Sequence, residues 1–193
     1  SKLIVSCQPV VKGTLDNHAS ILALAQASVN GGASALRING EKNVYNIKKK
    51  TKVPIIGIKK RKLKNSEVVI TPFCEDVKSL AESGADIIAF DATLRKRPVE
   101  INKLIEAIHK NNCIAMADCS NFYEAINATE LGADIVATTL SGYTKNKTVP
   151  KNPDFRMITK YKTNTHNKPI IAEGRINTPK LAAEAIRRGA HAV

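Results

Sequence analysis

The feature that most constrains the fold is a short phrase written four times: Gly32-Ala33-Ser34-Ala35-Leu36, Gly84-Ala85-Asp86-Ile87-Ile88, Gly132-Ala133-Asp134-Ile135-Val136 and Gly189-Ala190-His191-Ala192-Val193. Each glycine follows a helical pattern and precedes an apolar run. A glycine just past a helix adopts the left-handed conformation that ends it, so the phrase reads as helix stop followed by strand start. The copies recur at about 50 residues, the length of two βα units. Other apolar runs lie between them, and two are alike: Val53-Pro54-Ile55-Ile56-Gly57-Ile58 and Lys168-Pro169-Ile170-Ile171-Ala172-Glu173. Four copies of a two-strand repeat imply eight parallel strands, which close into an α/β fold of the (β/α)8 TIM-barrel type.

The strands read as Leu3 to Cys7, Ala35 to Ile38, Val53 to Ile58, Asp86 to Phe90, Ile114 to Ala117, Asp134 to Thr138 and Pro169 to Ala172. Helical periodicity is clearest over His18 to Asn30, Glu75 to Ser83, Glu100 to Asn111, Phe122 to Leu131 and Pro179 to Arg188. At 193 residues and 43% hydrophobic, the chain suits one core. The fourth copy stops at Val193 as strand eight begins. We therefore expect a single domain over residues 1–193 that lacks strand eight and its helix, with an open seam between strands one and seven.

The net charge is +13, but the lysines are scattered over many faces and mixed with acids, and aromatics are only 4%. That argues against nucleic acid as a partner and leaves a field that favours anionic substrates. No apolar run approaches a membrane span and no signal-peptide pattern opens the chain, so we expect a cytoplasmic protein with no membrane partner. Cys7, Cys74, Cys113 and Cys119 show no C-x-x-C pairing, and His18, His109, His166 and His191 lack metal-ligand spacing. Reduced thiols and no metal are expected.

In a barrel the carboxyl ends of the strands form the active-site floor. Gln8 follows strand one, Arg37 and Asn39 end strand two, and Lys59, Lys60 and Arg61 follow strand three. Asp91 and Thr93 end strand four and Asp118 follows strand five. Thr138, Thr139, Ser141 and Tyr143 follow strand six, and Glu173 with Arg175 ends strand seven. Any strand end meets water, so polarity alone decides little. Side-chain alternation is more selective: Ile56, Ile58 and Lys60 share one face, as do Ile171, Glu173 and Arg175. Lys60 and Glu173 then face each other across the mouth while Lys59 points toward the helices; a bulge would exchange the lysines. The facing pair reads either as an acid/base pair or as a partly buried ion pair with no catalytic meaning.

The same stretches carry a resemblance. Leu3-Ile4-Val5-Ser6-Cys7-Gln8, Ala35-Leu36-Arg37-Ile38-Asn39-Gly40, Pro54-Ile55-Ile56-Gly57-Ile58 with Lys60-Arg61, Ile87-Ile88-Ala89-Phe90-Asp91-Ala92-Thr93, Met116-Ala117-Asp118-Cys119-Ser120, Thr138-Thr139-Leu140-Ser141-Gly142-Tyr143-Thr144 and Ile171-Ala172-Glu173-Gly174-Arg175 closely resemble, in order, the N-acetylmannosamine-6-phosphate 2-epimerase family. The resemblance implies a (β/α)8 barrel that interconverts N-acetylmannosamine 6-phosphate and N-acetylglucosamine 6-phosphate in bacterial sialic-acid breakdown. It implies Lys60 as catalytic base and Glu173 as its acid/base partner, with Gln8, Arg37, Asp118, Thr139 and Tyr143 around the sugar. Phosphate would meet the backbone at Gly174 and Arg175 and a loop after strand eight. The expected partner is a phosphorylated N-acyl amino sugar, no cofactor is required, and we expect a homodimer. Where the resembling sequences carry an apolar residue before the lysine, this chain has Lys59.

Inverting C2 requires removing a proton beside the C1 carbonyl of the open-chain sugar, so the site needs a base that is partly neutral near pH 7. Burial and cations such as Arg61 or Arg37 would lower the pKa of Lys60, whereas ionised Glu173 would raise it. Two routes satisfy this: neutral Lys60 with protonated Glu173, or Lys60 as the single base with Glu173 orienting a hydroxyl. A ribulose-phosphate 3-epimerase or a synthase of aromatic or thiamin precursors would share the barrel and the phosphate rule but not the Lys60 and Glu173 pair. A basic nucleic-acid-binding module is the alternative from another class.

Overall fold

The computed structural model describes residues 2–144, 149–165 and 168–193, so His166 lies outside the described residues. Seven strands, β1 (Ile4–Ser6), β2 (Ala35–Asn39), β3 (Ile55–Ile58), β4 (Ile87–Asp91), β5 (Ile114–Asp118), β6 (Ile135–Ala137) and β7 (Ile170–Ile171), pair in parallel in chain order. The helices are α1 (His18–Asn30), α2 (Glu41–Lys48), α3 (Cys74–Glu82), α4 (Ile101–Lys110), α5 (Phe122–Glu130), α6 (Phe155–Asn164) and α7 (Pro179–Arg187). All seven strands fall where the apolar runs place them. Helices α2 and α6 were not among the clearest helical patterns, both being rich in asparagine, lysine or threonine. Tertiary packing overrides their weak local preference.

The repeated phrase has a physical function at each of its positions. Gly32, Gly84, Gly132 and Gly189 all have positive φ, from 92° to 105°. The alanine after each donates its N–H five residues back into the helix, as Ala33 does to Ser28 at 3.0 Å and Ala190 to Ala185 at 3.0 Å. This two-residue closure satisfies helix carbonyls that would otherwise be orphaned. The third position ties down the start of a neighbouring strand. Asp86 accepts the Ile55 N–H at 2.8 Å, Asp134 accepts that of Ala115 at 2.8 Å, and His191 Nδ1 accepts that of Ile170 at 3.2 Å.

Strand alternation divides the core into two layers. Leu36, Ile38, Ile55, Phe90, Ala117 and Val136 pack outward against the helices. Ile56, Ile58, Ala89, Met116, Ala137 and Ile171 fill the barrel interior. Side chains that continue the inner set at the carboxyl ends of the strands therefore stand in the mouth of the barrel.

The expected open seam is bridged instead. Ala192 pairs with Ile171 in parallel register, and the Ala172 N–H donates to Ala192 at 3.0 Å. Val193 donates to Lys2 at 2.9 Å, and Ile4 donates to Val193 at 2.7 Å. Residues 191–193 thus lie between β7 and β1 and supply hydrogen-bond partners to both edges.

Candidate active site

The mouth of the barrel holds a cavity of about 510 Å³ lined by Gln8, Arg37, Lys60, Thr139, Tyr143 and Glu173, with Gly174 at its rim. At its centre the buried Arg37 guanidinium reaches across the lumen to Asp118, Nη1 to Oδ1 at 3.2 Å and Nη2 to Oδ2 at 2.6 Å. Its Nη1 also lies 3.2 Å from Glu173 Oε2. Thr139 Oγ1 is 2.7 Å from Asp118 Oδ1 and 3.1 Å from Glu173 Oε2. A hydroxyl has one proton to give. The Thr139 hydroxyl is therefore shared as a donor between the two carboxyl groups.

Burial pushes the Glu173 carboxyl above the ordinary carboxylate range; Arg37, the Thr139 hydroxyl and Lys60 oppose this, while Asp118 adds to it. Lys60 is lowered, first by burial of its ammonium and then by the positive charge of Arg37, with Glu173 and Asp118 opposing. Burial works against the charge on Arg37, but the carboxylates of Asp118 and Glu173 outweigh it and hold the guanidinium protonated. The pair is moved toward neutral Lys60 and neutral Glu173, while Arg37 and Asp118 carry the fixed charges.

The two adjacent lysines diverge as alternation requires. Lys59 Nζ turns to the helices, 3.2 Å from Glu41 Oε2 and 3.8 Å from the fully buried Asp76 Oδ1. Lys60 lines the mouth, with its backbone N–H on Asn39 Oδ1 at 3.0 Å. Arg61 is not a neighbour that lowers Lys60: its guanidinium turns back to Asp76, with Nε at 2.8 and 2.9 Å from the two oxygens.

Sequence reasoning missed Asp76, whose place in the first turn of α3 gives no sign of its burial. It also missed the return of the β3–α3 connection, where Lys60 and Ile70 pair antiparallel and Val69 and Ile70 wall the cavity. The apolar run Val68-Val69-Ile70 was the available signal.

Not every strand-end residue joins the site. Asp91 accepts from Thr93 Oγ1 at 2.6 Å and pairs with Arg95 at 2.7 Å, a local network of its own. The Arg175 guanidinium turns away from the cavity, donating to the Ser141 and Asn152 carbonyls at 2.7 and 2.8 Å and lying over the Tyr143 ring. Gly174 and Arg175 both have positive φ, 98° and 62°. Among the described residues their two amide N–H groups have no hydrogen-bond partner. Successive free N–H groups in such a turn make an anion-binding concavity.

Comparison with known proteins matches this arrangement to a family. The family model NanE, described as "Putative N-acetylmannosamine-6-phosphate epimerase", matches residues 21–193. The chain belongs to the NanE family. A relative from Haemophilus influenzae, named "Putative N-acetylmannosamine-6-phosphate 2-epimerase", is 49% identical over 191 residues, covering 99% of this chain and 82% of its own. A relative of the same name from Photobacterium profundum is 48% identical over 190 residues, covering 98% and 80%. Among solved structures, the N-acetylmannosamine-6-phosphate 2-epimerase from Clostridium perfringens superposes with a TM-score of 0.94 at 40% identity, covering 99% of this chain and 84% of that one. The barrel expected from the repeat is therefore also the NanE fold.

Proposed function

We propose that this chain epimerises C2 of N-acetylmannosamine 6-phosphate to give N-acetylglucosamine 6-phosphate, in the breakdown of sialic acid. The observation that carries the reading is the opposed pair at the mouth: Lys60 and Glu173 line one cavity, and both are shifted toward their neutral forms around a fixed Arg37–Asp118 pair. A base that is neutral and an acid that is protonated at the same pH are what a proton abstraction and return requires.

Lys60 removes the C2 proton of the open-chain sugar as the electron pair moves into the C1–C2 bond and the C1 carbonyl becomes an enolate oxygen. Glu173 returns a proton to C2 from the other face, leaving Lys60 charged and Glu173 ionised. Proton exchange with solvent restores the starting state. Arg37, held by Asp118, keeps positive charge beside the cavity as negative charge develops on the substrate. Gln8, Thr139 and Tyr143 surround the sugar, and the free N–H groups of Gly174 and Arg175 receive the phosphate. Four free thiols among the described residues suit a reducing cytoplasm.

Proton NMR of N-acetylmannosamine 6-phosphate mixed with the protein in heavy water tests the reading directly. Signals of N-acetylglucosamine 6-phosphate should grow in with deuterium at C2. An unchanged C2 proton after prolonged incubation would sink it.

A further inference from the structure

A second, smaller cavity of about 170 Å³ lies under the β1–α1 loop and shares only Gln8 and Lys60 with the mouth. Cys7, Pro9, Val11 and Ile21 give it apolar walls, and Asp16, Asn39 and Asn43 complete the lining, the Asn43 amide being taken up by the Asn39 carbonyl and His18. We propose that this side cavity receives the N-acyl group of the substrate and that Val11 sets the length of acyl chain accepted. The inference rests on the epimerase reading above.

The position follows from the connectivity of the sugar. The acyl nitrogen is bonded to C2, and C2 must lie against Lys60 for its proton to be removed. The acyl group therefore departs one bond from the carbon that lies against Lys60. The main cavity runs from Lys60 toward Glu173 and Gly174, where the rest of the sugar and its phosphate belong. The side cavity shares Gln8 and Lys60 with it but extends to Val11, Ile21 and Asn43 instead of Glu173 and Gly174.

The chemistry of the lining fits an amide with a small apolar tail. Gln8 stands at the junction, its Nε2 donating to Ser6 Oγ at 2.7 Å. Its Oε1 is buried and has no partner among the described residues. An unsatisfied buried acceptor is costly, and the N–H of an N-acyl sugar is the donor that would meet it. Asn39 uses its oxygen to accept the Lys60 N–H, which leaves its amide nitrogen available to donate. Val11 is 68% exposed, an apolar side chain held over the cavity by a loop in which Lys12 donates to Asp16 Oδ2 and Gly13 to the Val10 carbonyl, both at 2.8 Å.

The test compares kcat/KM for the N-acetyl, N-propanoyl and N-butanoyl forms of mannosamine 6-phosphate in the wild type, Val11→Ala and Val11→Trp. All three substrates present the same phosphate and the same C2 proton. The preference for N-acetyl over N-butanoyl should fall in Val11→Ala and rise in Val11→Trp, each by ~10-fold or more, since one methylene in an apolar pocket is worth ~10–200-fold. Val11 is exposed, so both variants should keep the wild-type unfolding temperature. If the ratio is the same in all three proteins, the acyl group lies elsewhere and the proposal is overturned, even with a fully active wild type. A wild type that neither epimerises nor exchanges the N-acetyl substrate would instead defeat the epimerase reading itself.

Discussion

Arg37 and Asp118 join strands that are not neighbours: β2 and β5 are separated by two strands in the sheet, and the two-pronged pair spans the lumen with contacts of 3.2 and 2.6 Å. Both side chains are almost fully buried. The pair places one positive and one negative charge in a closed space next to the two groups proposed to move protons. It is therefore both a cross-brace of the barrel and the electrostatic reference for Lys60 and Glu173.

Asp118→Asn tests both roles. Asp118 raises the pKa of Glu173 and also raises that of Lys60. Removing its charge lowers both. The proposed mechanism needs Lys60 neutral and Glu173 protonated, so both limbs of the pH profile of kcat should move to lower pH. Breaking a buried pair costs ~3–5 kcal/mol, and the lower end is expected because Glu173 remains 3.2 Å from the Arg37 guanidinium. Denaturant melts and pH–rate curves check the two effects separately; limbs that stay in place would show that Asp118 does not tune the pair.

The adjacent lysines should separate completely. Lys60→Ala should lower turnover and C2 deuterium uptake by ~10²–10⁴-fold, the usual cost of losing a general base. Lys59→Ala loses contacts with Glu41 and Asp76 on the helix side and should keep most of its activity. NMR exchange assays on variants of matched unfolding temperature decide the matter. A dead Lys59→Ala beside an active Lys60→Ala would reverse the assignment.

Glu173→Gln should show the stability cost of the site. A carboxyl whose folded pKa is raised supports the fold fully below its unfolded value, near 4.5, and loses that contribution as pH rises through the higher folded value. Glutamine cannot ionise. The unfolding temperature of Glu173→Gln relative to wild type should therefore be more favourable at pH 7 than at pH 4, while kcat falls by ~10²–10⁴-fold. A relative stability that does not change with pH would contradict the raised pKa.

Much of this was legible because two simple periods govern the chain. The repeated glycine phrase gives the barrel, and alternation along β3 and β7 alone puts Lys60 and Glu173 on the inner face. What could not be read was pairing at a distance. Nothing local says that Arg37 would choose Asp118, that Arg61 would turn to Asp76, or that Val69 and Ile70 would fold back over the mouth. Those contacts depend on residues 10 to 81 positions apart meeting in space. Helices α2 and α6 escaped for a related reason, being held by the sheet beneath them more than by their own composition.

The turn after β7 offers the sharpest division between binding and chemistry. Gly174 has φ 98°, where a side chain costs ~1–2 kcal/mol, yet a Cβ built there meets nothing closer than the Tyr143 ring at 3.7 Å. Gly174→Ala should therefore fold while distorting the turn that presents the Gly174 and Arg175 N–H groups. If those groups hold the phosphate, KM for N-acetylmannosamine 6-phosphate should rise while kcat changes little, because binding lost equally from ground and transition states appears in KM. Any reaction of unphosphorylated N-acetylmannosamine should be unaffected, since it has nothing to place there. Arg175→Lys should be milder still on kcat than Glu173→Gln, its guanidinium being spent on the Ser141 and Asn152 carbonyls. An equal loss for both sugars in Gly174→Ala would mean that the turn positions Glu173 rather than the phosphate, and the anion site would have to be sought elsewhere on the rim.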